Sequence, residues 1–126
     1  MRKGILCMVI LVGLLICHLG LASPGWSQPF LLDGNHWAEI SYDAKVGYVK
    51  GVGNMADFEV QAGGSKSSRG YCLAYMLVQE MKGKTIEAVV LDIDKYYKEN
   101  LGDIKKSVLE VMLRRAAQLC PPETKK

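Results

Sequence analysis

The stretch "TIEAVVLDIDKYYK", Thr85 to Lys98, has the clearest helical repeat in the chain. Its apolar residues recur every three or four positions, at Ile86, Val89, Val90, Ile93 and Tyr97. This spacing forms one face of an α-helix, and Thr85 can cap the first turn. The charged residues collect on the other side and the run is long, so it predicts an amphipathic helix rather than a strand.

Similar signals on both sides of this helix predict three more helices. Ser107 and Glu110 have the spacing of a capping box, and Ser41 can cap an earlier helix. The predicted ranges are about 41–61, 71–82 and 107–120, after an irregular lead-in at 28–36. The sequence therefore predicts an all-α fold, a compact four-helix domain.

The N-terminal residues have the pattern of a secretory signal peptide. Arg2 and Lys3 precede an apolar run at 4–21, and small residues follow it. Gly25 and Ser27 suit the signal peptidase, so we expect cleavage after Ser27, with a cut after Ala22 as the second choice. An uncleaved membrane anchor stays open, because the run is at the lower limit of a span. The expected product is a periplasmic domain, 28–126, with no membrane attachment.

Size and charge limit the functions of this mature domain. Removal of residues 1–27 leaves 99 of the 126 residues, which suffices for one domain. The mature chain keeps 14 Lys and Arg against 13 acidic residues, a formal charge of about +1. This balance argues against a nucleic-acid partner.

The mature chain keeps two cysteines, Cys72 and Cys120. Thiols are oxidised in an export compartment, so we predict one disulfide between them. Two isolated cysteines and one histidine, His36, do not make a zinc site, and no cofactor is expected. A hydrolase also needs a histidine base, and His36 lies where a helix-start contact or packing is the expected role.

Three glycines interrupt the predicted helix at 41–61. Gly47 and Gly51 are four residues apart and lie on one helical face, where another helix could approach closely. We therefore predict that they are helix-packing glycines. A ligand groove on the same face is the alternative.

Two other segments invite a functional interpretation. The segment "GGSKSSRG", Gly63 to Gly70, is predicted to be a solvated loop, because it does not match a phosphate-binding loop. The segment "DID", Asp92 to Asp94, fails the pattern of a calcium-binding loop, so we expect solvated surface charges.

The chain resembles the Tai family, exported immunity proteins against the amidase effectors of type VI secretion. The shared features are Trp37 before a helix start, Tyr48-Val49-Lys50-Gly51, Thr85 with the aromatic segment Asp94 to Tyr97, and Cys120-Pro121. The chain departs from the family in the position of Cys72, thirteen residues before Thr85. The resemblance implies a non-catalytic inhibitor of a secreted cell-wall amidase.

We therefore expect a periplasmic binding protein that performs no chemistry, with a protein partner and possible homodimer formation. The alternative is a stress chaperone similar to the HdeA kind, or a structural protein. The candidate partner-binding residues are Lys66, Arg69 and Tyr71, which lie in or beside the least helical segment. The turn "NLGD", Asn100 to Asp103, is a second candidate loop.

Overall fold

The computed structural model describes residues 31–122. These residues form five α-helices and one short 3₁₀ turn, and no strand occurs among them. The elements are α1 Gly34–Glu39, α2 Tyr42–Gln61, α3 Arg69–Met81, α4 Ile86–Glu99, the 3₁₀ turn Leu101–Asp103 and α5 Val108–Leu119. The prediction of an all-α domain with four main helices is confirmed. The predicted signal peptide, 1–27, and its cleavage site lie outside the described residues.

The long helices begin where their caps predict. Ser41 and Thr85 accept hydrogen bonds from the amides of Ala44 and Ala88. Ser107 accepts from the amide of Glu110, whose carboxylate accepts in return from the amide of Ser107, so the capping box is present. These bonds satisfy amides that have no partner within the helix.

The helix α3 begins two residues earlier than predicted. Ser68 accepts a hydrogen bond from the amide of Tyr71 at 3.1 Å, and Arg69 is the first helical residue. Helix formation therefore takes Arg69 and Gly70 out of the predicted loop.

The four long helices form a ring around one core. The helix α2 packs against α3 and α4, and α5 packs against the same two helices from the other side. Side chains from all four helices fill the centre, including Val49, Leu77, Val90, Ile93 and Val111. The helices α4 and α5 each contribute four buried residues.

A short helix, α1, replaces the irregular lead-in that the sequence predicts. Asp33 caps it by accepting hydrogen bonds from the amides of Asn35 and His36. Its Trp37 is only 1% exposed. The burial of one large aromatic side chain stabilises a helix that is too short to form alone.

The chain around α1 is bonded to the segment that precedes α5. The amide of Val108 donates to the carbonyl of Leu32 at 2.7 Å, and the amide of Gly34 donates to the carbonyl of Ile104 at 2.9 Å. A Cβ at Gly34 would lie 2.7 Å from side-chain atoms of Tyr97 and Ile104. This close approach requires glycine and fixes α1 against the end of the bundle.

The helices of residues 31–122 are all too short or too polar to cross a membrane.

Candidate binding surfaces

A disulfide and an arginine hold α3 to the end of α5. Cys72 and Cys120 form the predicted disulfide, with their Cα atoms 5.8 Å apart. Arg69 donates to the carbonyl oxygens of Cys120 at 2.7 Å and Pro121 at 2.8 Å. The guanidinium thus donates to carbonyls that have no partner within α5. Its positive charge also interacts favourably with the negative C-terminal end of the helix dipole. Arg69, a predicted partner-binding residue, is already bonded within the domain.

The other two predicted partner-binding residues lie in different surroundings. Lys66 is exposed in the loop between α2 and α3. Tyr71 is half-buried on α3, and its ring stacks on Tyr75 with 6.3 Å between the centroids. The structure therefore does not bring Lys66, Arg69 and Tyr71 together as one recognition loop.

The second candidate loop forms the 3₁₀ turn. Its Leu101 is 75% exposed. Its Asp103 accepts hydrogen bonds from the hydroxyl of Tyr96 and from Lys106 Nζ. The turn is thus tied to α4 and presents a single apolar side chain.

Within the described domain, no helix packs against Gly47 and Gly51, so the prediction of helix-packing glycines is wrong for contacts inside this domain. Both are exposed, and a Cβ at either position would meet no atom within 4 Å. The helix α2 packs through its opposite face, which includes Val49 and Ala56. The close approach occurs at Gly53, where a Cβ would lie 2.9 Å from Met81 Cε. Helical spacing places two glycines on one face but does not decide whether that face is covered.

The exposed face of α2 is an uncharged stripe. Residues three or four apart share one helical face. The members of this face, called the α2 stripe, are Ala44, Gly47, Gly51, Met55, Phe58 and Ala62, and all six are exposed. Met55 and Phe58 are 64% and 63% exposed. Large apolar side chains are thus grouped at one end of the stripe and small residues at the other.

A concave surface lies on the other side of the molecule, between α3, α4 and α5. This α5 groove has a volume of about 600 Å³. Its apolar lining comes from Leu31, Leu73, Tyr96, Leu109 and Leu113. Lys106, Glu110 and Arg114 supply polar groups to the same groove. An apolar concavity with a few polar groups is typical of a binding site.

Polar contacts fix the walls of the α5 groove. The guanidinium of Arg114 lies 5.3 Å from the ring centroid of Tyr96, and its Nη1 donates to the carbonyl of Val111 at 2.6 Å. Leu73 follows Cys72 directly, so the α3 wall is covalently tied to the end of α5. The groove is therefore formed before any partner binds.

The carboxylate of Asp94 joins three helices. It accepts hydrogen bonds from Trp37 Nε1 at 2.7 Å and from Lys45 Nζ at 2.9 Å. Lys45 also lies 5.2 Å from the ring centroid of Trp37. The prediction of a solvated surface charge is wrong for Asp94, because α1 and α2 fold over it. Asp92 is more exposed and pairs with Lys84 at 2.8 Å, a bond that lowers the pKa of its carboxyl.

Three carboxylates at the α1 end of the bundle have lowered pKa values. The amide of His36 donates to Asp33 and lowers the pKa of that carboxyl to about 2. The hydroxyl of Tyr96, followed by Lys106, lowers the pKa of Asp103. The amide and hydroxyl of Ser107 lower the pKa of Glu110. Each carboxylate is thus stabilised in its charged form by hydrogen bonds of the folded state.

His36 takes part in the start of α1. Its Nδ1 lies 2.8 Å from Asp33 Oδ1, which agrees with the predicted helix-start contact. Within residues 31–122, no three His, Cys, Asp or Glu side chains converge in a way that could hold a metal ion.

Comparison of the chain with protein-family models, with curated proteins and with solved structures finds no match. The resemblance to the Tai family therefore stays a prediction.

Proposed function

We propose that this protein is a non-catalytic, exported binding protein whose α5 groove receives an apolar segment of a protein partner. The α5 groove is the observation that supports the proposal. It offers leucine and tyrosine side chains in a concave surface, with charged groups beside them. Apolar pockets of this kind accept the few buried anchor residues that dominate binding energy.

The rigidity of the groove supports the same proposal. Its α3 wall is joined to the end of α5 by the disulfide and by Arg69. Its α4 wall is fixed by the contact between Tyr96 and Arg114. A preformed site binds more tightly than a flexible one, because less conformational entropy is lost on association.

The proposed partner is a secreted cell-wall amidase effector, as the resemblance to the Tai family implies. A disulfide is favoured in an oxidising compartment such as the periplasm, and the predicted signal peptide would deliver the chain there. In this proposal the protein inhibits the amidase by occupying its surface. The contact surface differs from the predicted loop residues, because Arg69 is engaged within the domain.

The proposal is tested with amidase effectors encoded in the same genome. Cells that express a periplasmic effector should survive when they also produce this protein. Leu113→Glu places a charge in the groove, so it should weaken binding at least about 30-fold, the effect of losing a hot-spot residue. Leu91→Glu is the matched control, since Leu91 is exposed on α4 and does not line the groove.

Circular dichroism establishes that both variants are folded before binding is compared. Equal lysis with and without this protein, for every effector of the genome, would eliminate the amidase proposal. A bound partner whose affinity is unchanged by Leu113→Glu would eliminate the groove as the contact surface.

A second candidate function is an acid-stress chaperone similar to the HdeA kind. The favouring observation is the group of three carboxylates with lowered pKa values, Asp33, Asp103 and Glu110. Their protonation removes the charged acceptors that hold α1 and the start of α5. Binding of an apolar dye during titration from neutral pH to about pH 2 tests this function. A chaperone of this kind should expose apolar surface in acid and protect a client protein from aggregation.

A further inference from the structure

The α2 stripe is a second surface, and it shares no residue with the α5 groove. Of the four long helices, α2 separates apolar from polar residues least. Its inner face packs into the core through Val49 and Ala56, while its outer face leaves Met55 and Phe58 in solvent. The helix is thus apolar on two opposite faces, and only one face is covered within the described domain.

We propose that the α2 stripe binds the α2 stripe of a second copy of this chain, with the two helices antiparallel. A twofold axis at the level of Gly53 places residues of the two halves of α2 opposite each other. Met55 of one copy then faces Gly51 of the second copy, and Phe58 lies within one residue of the level of Gly47. The large side chains of one copy enter the space left by the glycines of the other.

The structure shows open space beside both glycines. A Cβ at Gly47 or Gly51 would have no neighbour within 4 Å, so nothing in the described domain fills this position. Helices that meet at glycine can approach closely, and a large side chain can then pack against bare backbone. One stripe therefore carries both the large side chains and the open space at the glycines into which the side chains of a second copy can pack.

The charges beside the stripe are complementary in the same antiparallel register. Lys50 and Asp57 are seven residues apart, exposed, and on the same flank of α2. The twofold axis places Lys50 of one copy next to Asp57 of the second copy, and the reverse pair forms with it. Among residues 31–122, Lys50 has no ion pair, and Asp57 accepts a hydrogen bond from Gln61 Nε2 at 2.6 Å.

A parallel pair of helices would lack both advantages. Its twofold axis runs along the helices, so each stripe residue meets its own copy, and one flank of the first copy faces the opposite flank of the second. Lys50 and Asp57 share one flank, so Lys50 of one copy would lie away from Asp57 of the other and no ion pair would form between them. Phe58 would also meet Phe58 while the glycines faced an empty space. Shape and charge therefore select the antiparallel pair.

The small area of the stripe indicates a weak dimer. A helix of 20 residues is about 30 Å long, and a stripe about 10 Å wide on it covers roughly 300 Å² in projection. Stable interfaces bury about 800 Å² on each partner. We therefore expect a weak, concentration-dependent dimer, as is typical of small interfaces.

Sedimentation equilibrium of the mature, oxidised protein from about 1 to about 500 µM tests the proposal. The mean mass should rise from monomer towards dimer over this range. Phe58→Lys should abolish the rise. Leu91→Lys is the matched control, because Leu91 is also 63% exposed but lies on α4, and it should dimerise like the natural protein.

Charge reversal tests the register. Lys50→Asp should weaken dimerisation at least about tenfold, because it places two carboxylates together. The double variant Lys50→Asp with Asp57→Lys should restore it in an antiparallel pair only. A monomer at all concentrations, or a dimer that Phe58→Lys leaves intact, would overturn the proposal. A weakened dimer that the double variant does not restore would overturn the antiparallel register.

Discussion

The α2 stripe and the α5 groove are both apolar, but they differ in shape and in stiffness. The stripe is the outer face of one helix, and it is narrow and convex with gaps at two glycines. The groove is concave and lies between three helices, two of which are joined by a disulfide. A convex stripe suits a second helix, whereas a concave groove suits a protruding segment of a partner. Two apolar surfaces of one small domain can therefore serve different partners.

Loss of the disulfide should have the largest effect on stability. It should also affect binding at the α5 groove more than pairing at the α2 stripe. The bridge joins residues 48 positions apart, and a loop of that length stabilises the folded state by about 4 kcal/mol in the chain-entropy model. Replacement of Cys72 and Cys120 by serine should lower the free energy of unfolding by about this amount. Urea unfolding of the oxidised protein and the variant measures the difference.

The bridge lies beside the groove, so the same variant should also weaken partner binding while α2 pairing persists at low temperature. Equal unfolding midpoints for both proteins would show that the bridge is not a major source of stability.

Asp94→Ala should have the next largest effect, because it disturbs the inner side of α2. It leaves the indole N–H of the buried Trp37 without an acceptor and leaves Lys45 without its partner. We expect a loss of about 2 to 3 kcal/mol. Asp92→Ala is the control two residues away, since its ion pair is half exposed and contributes less than about 1 kcal/mol. Thermal unfolding of both variants measures the contrast, and equal losses would contradict it.

The third largest effect should come from acid, which should destabilise the α1 end of the bundle. The folded-state pKa of Asp33 is about 2, below its ordinary value of 3.8. A lowered carboxyl pKa gives stability that is present above the ordinary value and is lost as the pH falls towards the folded-state value. The stability that Asp33 contributes should therefore be lost between about pH 4 and about pH 2. Unfolding curves across this window test it.

Asp33→Asn removes the titrating carboxylate, so this variant should show a smaller change between neutral pH and acid. An equal dependence on pH in both proteins would assign the loss to other groups.

Gly51→Ala should have the smallest effect and the opposite sign. Its new methyl group would meet no atom of the domain, so the variant should be more stable by about 0.5 to 1 kcal/mol through helix propensity. Gly53→Ala is the control, because its methyl group would lie 2.9 Å from Met81 Cε and should gain less or lose stability. Dilute samples keep the proposed dimer dissociated during these measurements. A loss of stability in Gly51→Ala would show that this face is covered.

The sequence predicts the local features of this fold well. The four long helices, the caps at Ser41, Thr85 and Ser107, and the disulfide are all confirmed. Each depends on neighbouring residues or on a small number of cysteines. Periodicity and capping therefore suffice for the elements of the domain.

The errors concern contacts between residues that are distant in the chain. Arg69 bonds to the carbonyl of Cys120, and Asp94 bonds to Trp37 across 57 positions. The short helix α1 exists because Trp37 is buried by other elements. Gly47 and Gly51 share a face, but no local signal decides which face of a helix is covered. The α5 groove was not predicted for the same reason, because its leucines come from different elements that only the fold brings together.

The position of Cys120 sets the order of events during biosynthesis. The ribosome reaches Cys120 only after all five helices have been made, so Cys72 waits without its partner while they emerge. The bridge closes a loop of 48 residues, and this loop can form only after the last helix has been made. Closure of the bridge therefore follows synthesis of the helices and does not guide their formation on the ribosome.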